Sequence, residues 1–329
     1  MIPADWLDLA AQRLSGQIER TPLTYDPALG IYIKWENRQL TGSFKIRGAL
    51  NKIYALEDWE RRRGLVTASA GNHGQGVALA ARQLGVPVTV FASDHAVPAK
   101  VDAMRALGAE VRLVQGGYEL AESTAQKYAA ETGATWVSPY NDMQVIAGQA
   151  TVGREILEQL APTMPAVIVV PVGGGGLISG IGAAVQPANP RPRIMGVQSI
   201  ASPFFYHLLH HGTQEGVVEL PSLADGLAGR VEEGSLTIPL VRALVDDIIL
   251  VTEEQIANAI AYAWKQHAEK VEGSGAVSLA TVMSGALQRS ELAAGPVVVV
   301  MSGGNIQPDV HARIITQASA QPGSGLADV

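Results

Sequence analysis

The feature that most restricts this chain is an alternation. Short apolar runs rich in Val and Ile lie at Ile31–Trp35, Leu65–Thr67, Val88–Phe91, Val111–Val114, Val167–Val172, Ile194–Gln198, Ile248–Val251 and Val297–Met301. Between them lie segments with helical spacing. Strands that are apolar on both faces need cover on both faces, and a strand–helix alternation supplies it in a parallel sheet flanked by helices. The spacing predicts helices over Gln75–Leu84 and Pro98–Leu107, each stopped by a glycine, Gly85 or Gly108. It predicts others over Tyr118–Thr132, Val145–Leu160 and Glu253–His267, the last opened by the capping-box pattern Thr252-Glu253-Glu254-Gln255. The fold class is α/β.

At 329 residues the chain has length for two domains. The segment from Leu65 to Pro139 reads as a compact strand–helix series that could stand as a small domain, with the rest forming a larger one. Gln317–Val329, rich in Ser, Ala, Gly and Pro, is expected to fray. Cysteine is absent, which removes disulfides, thiolate metal sites and a cysteine nucleophile. The net charge of −7 argues against a nucleic-acid partner. No basic segment followed by an apolar one opens the chain, so a cytoplasmic location is expected. Ala161–Pro190 carries no charge and is long enough to span a bilayer, but its prolines and the Gly173–Gly176 run make a poor spanning helix. It reads instead as buried strand, glycine turn and buried helix.

The 35 glycines cluster at strand ends. Pro171-Val172-Gly173-Gly174-Gly175-Gly176-Leu177 follows one strand and opens a helix; it reads either as a phosphate cradle of backbone N–H groups or as a tight turn. Ser69-Ala70-Gly71-Asn72-His73-Gly74-Gln75-Gly76 follows a second strand and offers donors suited to a carboxylate, or a capped turn. Met301-Ser302-Gly303-Gly304-Asn305 follows a third. In Thr41-Gly42-Ser43-Phe44-Lys45-Ile46-Arg47-Gly48-Ala49, Lys45 sits between Phe44 and Ile46. Most lysines are solvated; a desolvated one has a lowered pKa and can act as a covalent amine or a base. Glycine loops at strand ends plus such a lysine fit a covalently held phosphorylated cofactor, pyridoxal 5′-phosphate (PLP).

These four motifs, in this order, resemble the fold-type II PLP enzymes, and within them the threonine/serine ammonia-lyase (dehydratase) and serine racemase branch. The resemblance runs from Arg20-Thr21-Pro22-Leu23 to Ser302-Gly303-Gly304-Asn305. It implies a tryptophan synthase β-like fold of two open, twisted, mostly parallel sheets. Residues 1–66 and 145–329 would form a large PLP-binding domain, and 67–144 a small mobile domain closing over the substrate. It implies that Lys45 holds the cofactor and then acts as the base at Cα, and that Phe44 packs beside the ring. Gly173, Gly174, Gly175, Gly176 and Leu177 would hold the phosphate, Asn72 the ring's 3-oxygen and Ser302 the ring nitrogen. Ser69, Ala70, Gly71, Asn72 and His73 would clasp the substrate carboxylate. Relatives suggest a homodimer or homotetramer.

Departures from the family pattern sharpen the expectation. Racemases of this branch place a second serine where this chain has Ala70, and alanine moves no proton, so elimination is favoured. The positions where many relatives bind a divalent cation hold Gln198 and Phe204, so no metal is expected there. His207, His210 and His211 read as a solvated polar face that no carboxylate joins. Glu272, in Lys270-Val271-Glu272-Gly273, reads either as a group meeting the substrate amine or as a helix N-terminal acid. Arg230 reads as a reader of a second substrate carboxylate or as a surface residue. The chain ends soon after Asn305, so no C-terminal regulatory domain is expected. The expected activity is PLP-dependent β-elimination of L-threonine or L-serine to a 2-oxo acid and ammonia. The alternatives are a dehydratase of another β-hydroxy amino acid (hydroxyectoine-derived, 3-hydroxyaspartate or phenylserine type), a serine racemase, a PLP-binding protein without catalysis, and a sugar-phosphate or nucleotide binder. No nucleic-acid or membrane partner is expected.

Overall fold

The computed structural model describes residues 2–287 and 294–320. The chain opens with α1 (Ala4–Leu14), β1 (Leu23–Asp26), β2 (Ile31–Trp35), α2 (Lys45–Ala55) and α3 (Asp58–Arg62). There follow β3 (Leu65–Ala68), α4 (Asn72–Leu84), β4 (Val88–Ser93), α5 (Pro98–Ala106), β5 (Glu110–Val114), α6 (Tyr118–Thr132) and β6 (Thr135–Trp136). Then come α7 (Met143–Leu160), β7 (Val167–Pro171), α8 (Gly176–Val185), β8 (Arg193–Ser199), α9 (Phe204–His210) and α10 (Thr237–Leu244). The described chain closes with β9 (Asp247–Val251), α11 (Glu253–His267), α12 (Gly273–Met283), β10 (Val297–Met301) and α13 (Pro308–Ala320).

The strands form two sheets, as the family resemblance implies. A six-stranded sheet runs β1-β2-β10-β7-β8-β9, and a four-stranded sheet runs β5-β4-β3-β6. All pairings are parallel except that of the edge strand β1 with β2. The central strands β7 and β10 are buried at every residue, which is why they read as unbroken apolar runs. β1 was not legible: Leu23-Thr24-Tyr25-Asp26 exposes its middle, as an edge strand can. The uncharged stretch from Ala161 resolves into β7, a turn and α8, and no helix among the described residues is long and apolar enough to cross a membrane.

Several boundaries differ from expectation for local reasons. α7 starts at Met143, two residues early, because Asp142 caps it by accepting from the N–H groups of Gln144 at 2.7 Å and Val145 at 3.1 Å. α4 starts at Asn72 because the glycine loop turns directly into the helix. The expected fray at Gln317 is corrected: Gln317–Ala320 form the end of α13, and 321–329 lie outside the described residues. One point of the histidine face is also corrected: a carboxylate does join it, Asp247 Oδ1 lying 3.0 Å from His210 Nε2.

The helices under the cleft touch backbone to backbone. A Cβ on Gly148 of α7 would stand 2.5 Å from the carbonyl oxygen of Arg47 and 2.7 Å from Cα of Gly48, both in α2. A Cβ on Gly180 of α8 would stand 2.6 Å from the carbonyl oxygen of Ile146 in α7. Side chains of any size would force these helices apart. Beneath α2 lies a buried charge cluster. The Arg47 guanidinium meets Glu36 at 2.7 Å and Glu155 of α7 at 2.6 Å, and Lys34 of β2 meets Glu155 at 2.5 Å. Lys34 also donates to the Thr21 carbonyl at 2.8 Å and to Gln159 at 2.9 Å. Burial alone would raise the Glu36 pKa, but Arg47 and Lys34 hold its carboxyl below the usual range.

A cluster so connected is costly to break on one side, because the remaining charge stays buried without a partner. Glu36→Ala should therefore lower stability by about 3–5 kcal/mol. Denaturant unfolding of the purified protein measures it, and a loss below about 1 kcal/mol would show that α2 does not depend on this pair.

Candidate active site

Four loops meet where the strand ends of the two sheets face each other. Lys45 is the first residue of α2, set there by the loop before it. That loop is stitched to the turn after β10: Ser43 bridges Gly303, the Phe44 N–H donates to the Ser302 carbonyl at 3.1 Å, and the Gly304 N–H donates to the Gly42 carbonyl at 2.8 Å. α4 presses on the same point, since a Cβ on Gly76 would lie 3.1 Å from the nitrogen of Ile46 and 3.2 Å from the carbonyl carbon of Lys45. The lysine is thus fixed at its backbone from two directions.

The cleft between the sheets has a volume of about 1290 Å³. Every site residue singled out in the sequence lines it: the loop Ser69–His73, the turn Gly173–Leu177, Phe44, Lys45, Glu272 and Ser302. Lys45 Nζ donates to the carbonyl of Pro139 at 3.0 Å and stands 5.2 Å from the Phe44 ring centre. Burial pulls its pKa down to about 8, with the Glu272 carboxyl pulling the other way.

The turn Gly173–Gly176 folds as an anion cradle would. No hydrogen bond among the described residues uses the N–H groups of Gly173 or Gly174, and the N-terminus of α8 adds its positive end. Gly175 has φ of +85°, a left-handed conformation that favours glycine. Cβ atoms on Gly174 or Gly176 would run into Tyr140, whose ring lies against the turn. Unpaired donors at a helix N-terminus, with a desolvated amine in the same cleft, fit a phosphorylated carbonyl cofactor.

Burial also shifts the other titratable groups of the site. Burial, and Lys45 nearby, push the His73 pKa down to about 3. Its Nε2 lies 3.0 Å from the Val137 carbonyl, which only accepts, so Nε2 carries the proton and Nδ1 is bare and unpartnered. Ser302 Oγ donates to the Ser274 carbonyl at 3.3 Å. Glu272 is the N-cap residue of α12 yet turns its side chain away from the helix, to accept from Asn72 Nδ2 at 2.5 Å. Glu272 therefore stands at the helix N-terminus with its carboxyl turned into the cleft. Burial and Asp225 push its pKa up to about 7, against Lys100, Asn72 and Lys45.

Three residues here escaped sequence reasoning. The carbonyl of Pro139 and the ring of Tyr140 belong to Ser138-Pro139-Tyr140, a segment with no glycine signal. Asn305 closes the Met301–Asn305 motif, and its amide reaches Asn72 Oδ1 at 2.7 Å. At the family's cation positions, Gln198 spans the Val172 carbonyl at 3.1 Å and the Tyr206 N–H at 2.8 Å.

Comparison with known proteins follows the same line. The family described as pyridoxal-phosphate dependent enzyme matches residues 14–303. The L-threonine ammonia-lyase of Thermotoga maritima is 43% identical, over 98% of this chain and 80% of its own. Among solved structures, maize serine racemase superposes with a TM-score of 0.86 at 32% identity, covering 96% of this chain and 97% of its own. The processed form of threonine deaminase isoform 2 from Solanum lycopersicum superposes with a TM-score of 0.85 at 30% identity, covering 96% of this chain and 88% of its own.

The lysine environment has a measurable consequence. In cofactor-free protein, aldehyde addition to Lys45, trapped by borohydride and quantified by peptide mass, should rise with a midpoint near pH 8, not near the 10.5 of an ordinary lysine. Glu272→Gln removes a charge that favours the protonated amine, so the midpoint should fall. A midpoint above about pH 10 in either protein, the range of a solvated lysine, would contradict the burial argument.

Proposed function

The chain belongs to the family of pyridoxal-phosphate dependent enzymes, on the threonine/serine dehydratase branch of fold type II, and from that premise we propose that it deaminates L-threonine and L-serine by β-elimination. Its cofactor is pyridoxal 5′-phosphate, which supplies an electron sink for negative charge developing at the substrate Cα. The observation that carries the reading is the pairing of Lys45 with Ala70 in one cleft. A single desolvated amine is available to take the Cα proton, and the loop that would face the substrate carries a methyl group where a second proton carrier would be needed for racemisation. The maize protein is described as a serine racemase, so the fold alone does not choose between the two reactions.

In this reading the chain's own groups divide the work. The N–H groups of Gly173 to Gly176 and Leu177 bind the phosphate. Phe44 packs beside the ring, Ser302 meets its nitrogen with an uncharged hydroxyl, and Asn72 offers its amide to the ring's 3-oxygen. Ser69, Ala70, Gly71, Asn72 and His73 receive the substrate carboxylate, and residues 67–144 close over it. Lys45, with a pKa of about 8, has enough free amine near neutral pH to act as the base. The Cβ hydroxyl then leaves as water, and one water returns as ammonia is released, so L-threonine gives 2-oxobutanoate and L-serine gives pyruvate.

Charge at the mouth of the cleft bears on the alternatives. Glu119, Glu122, Glu215, Glu219, Glu232 and Glu233 line it. Arg230 lines it too and makes no ion pair among the described residues. One guanidinium among these carboxylates does little to attract a second substrate carboxylate, which favours uncharged side chains over 3-hydroxyaspartate.

The test is 2-oxo acid release by the cofactor-loaded protein from L-threonine, L-serine and L-threo-3-hydroxyaspartate, with D-serine assayed in parallel. Release from threonine and serine, a loss of at least about a thousandfold in kcat/KM in Lys45→Ala, and no D-serine are expected. Arg230→Ala should leave threonine turnover within about twofold, the scale of a surface change. Bound cofactor without 2-oxo acid from either neutral substrate would overturn the reading.

A further inference from the structure

We infer that Asn305 is a positioning residue, which sets the direction in which the Asn72 amide faces; the inference rests on the reading of Asn72 as a cofactor contact. Asn72 is the first residue of α4, and its side-chain amide lies between two partners. Its Oδ1 accepts from Asn305 Nδ2 at 2.7 Å, and its Nδ2 donates to Glu272 Oε1 at 2.5 Å.

An amide between two such partners could equally be turned over. Asn305 is itself an amide, with a donor and an acceptor end, and Glu272 is a carboxyl whose pKa of about 7 allows it either to accept or to donate. Neither fixes a direction. The group that does is the carbonyl of Thr41, to which Asn305 Nδ2 also donates at 2.8 Å. A backbone carbonyl has no proton and cannot change role. It therefore holds the NH2 of Asn305 toward itself and Asn72, which turns Oδ1 of Asn72 toward Asn305 and leaves the NH2 of Asn72 facing Glu272 and the cleft. One hydrogen of that NH2 goes to Glu272, and the other is free to meet an acceptor such as the ring's 3-oxygen.

The surrounding backbone leaves room for this relay. A Cβ on Gly42 would lie 2.6 Å from Asn305 Oδ1, and Gly42 has φ of +69°. A Cβ on Gly303 would lie 3.1 Å from Asn72 Nδ2 and would run into the Glu272 carboxyl. Thr41, Asn72, Glu272 and Asn305 come from four separate segments of the chain, so the relay also registers those segments against one another.

The experiment compares Asn305→Asp with Asn305→Ala, each with Asn72 intact and with Asn72→Ala. Aspartate has the shape of asparagine but offers only acceptors to the Thr41 carbonyl and to Asn72, so it should turn the Asn72 amide over. Alanine leaves Asn72 held by Glu272 alone. The readouts are the dissociation constant for pyridoxal 5′-phosphate and the pH dependence of the visible absorbance of the bound cofactor. Asn305→Asp should weaken cofactor binding about tenfold, the scale of a good hydrogen bond lost and opposed, and should shift the pH midpoint of the absorbance. Asn305→Ala should do less. In the Asn72→Ala background neither change should alter the spectrum further. Should Asn305→Asp fail to fold, Asn305→Ala in the two backgrounds makes the same comparison. A spectrum and affinity that Asn305→Asp leaves unmoved, or changes equal in both backgrounds, would overturn this inference alone, leaving Asn305 a loop staple. No visible band in the unsubstituted protein would overturn the functional reading and the inference together.

Discussion

Arg47 sits two residues beyond Lys45 on the same helix, and the whole site depends on its neutralisation. Its guanidinium is fully buried and bonds Glu36, which follows β2, and Thr151 and Glu155 of α7. Lys34 balances the second carboxylate from the strand side. Arg47, Lys34 and Glu36 are fully buried and multiply bonded, so their geometry admits little variation. The result is a rigid tie between the central sheet, α2 and α7. The Lys45 amine projects from the end of that tie into a cleft where it has lost its own solvation. Fixing one cation so firmly below allows the other to stand nearly alone above.

The cleft itself is assembled from loops that the sequence scatters widely. The Gly42–Phe44 segment is zipped to Ser302–Gly304 by backbone hydrogen bonds, and Glu272 donates its own N–H to the Gly303 carbonyl at 3.1 Å. None of these backbone links involves a charged side chain, so they do not themselves change with pH. The titrating groups face the cleft instead, and there Lys45 and Glu272 are shifted toward each other's range by the same burial.

Much of this was legible in the residues, and the reasons are uneven. The buried strands declare themselves because parallel strands covered on both faces are apolar throughout, as Val297–Met301 is. Gly173–Gly176 declares itself as a turn between β7 and α8 because four consecutive glycines suit neither a strand nor a helix interior. α2 gave no such signal: its cap residue Phe44 makes no side-chain bond, and its interior holds Arg47, Gly48 and Asn51. Those residues are there for tertiary reasons, a buried ion cluster and a close helix crossing, which periodicity does not report. β1 is an edge strand with a half-exposed pattern. Tyr140 and Pro139 entered the site through backbone placement, and the task of Asn305 depends on a carbonyl from a loop 264 residues earlier. Contacts of that kind leave no local trace.

The backbone-to-backbone crossing of α2, α7 and α8 bears on how such a protein can diversify. At Gly48, Gly148 and Gly180 even a methyl group would collide with the neighbouring helix backbone or a buried side chain. Mutational drift is therefore barred from the floor, where the amine and its supporting ions are set. It remains open along the rim, at exposed positions such as Glu215, Glu219, Glu233 and Arg230 that line the cleft without supporting the core. A lineage built on this scaffold would inherit its chemistry nearly unchanged and acquire new substrates by rewriting the vestibule.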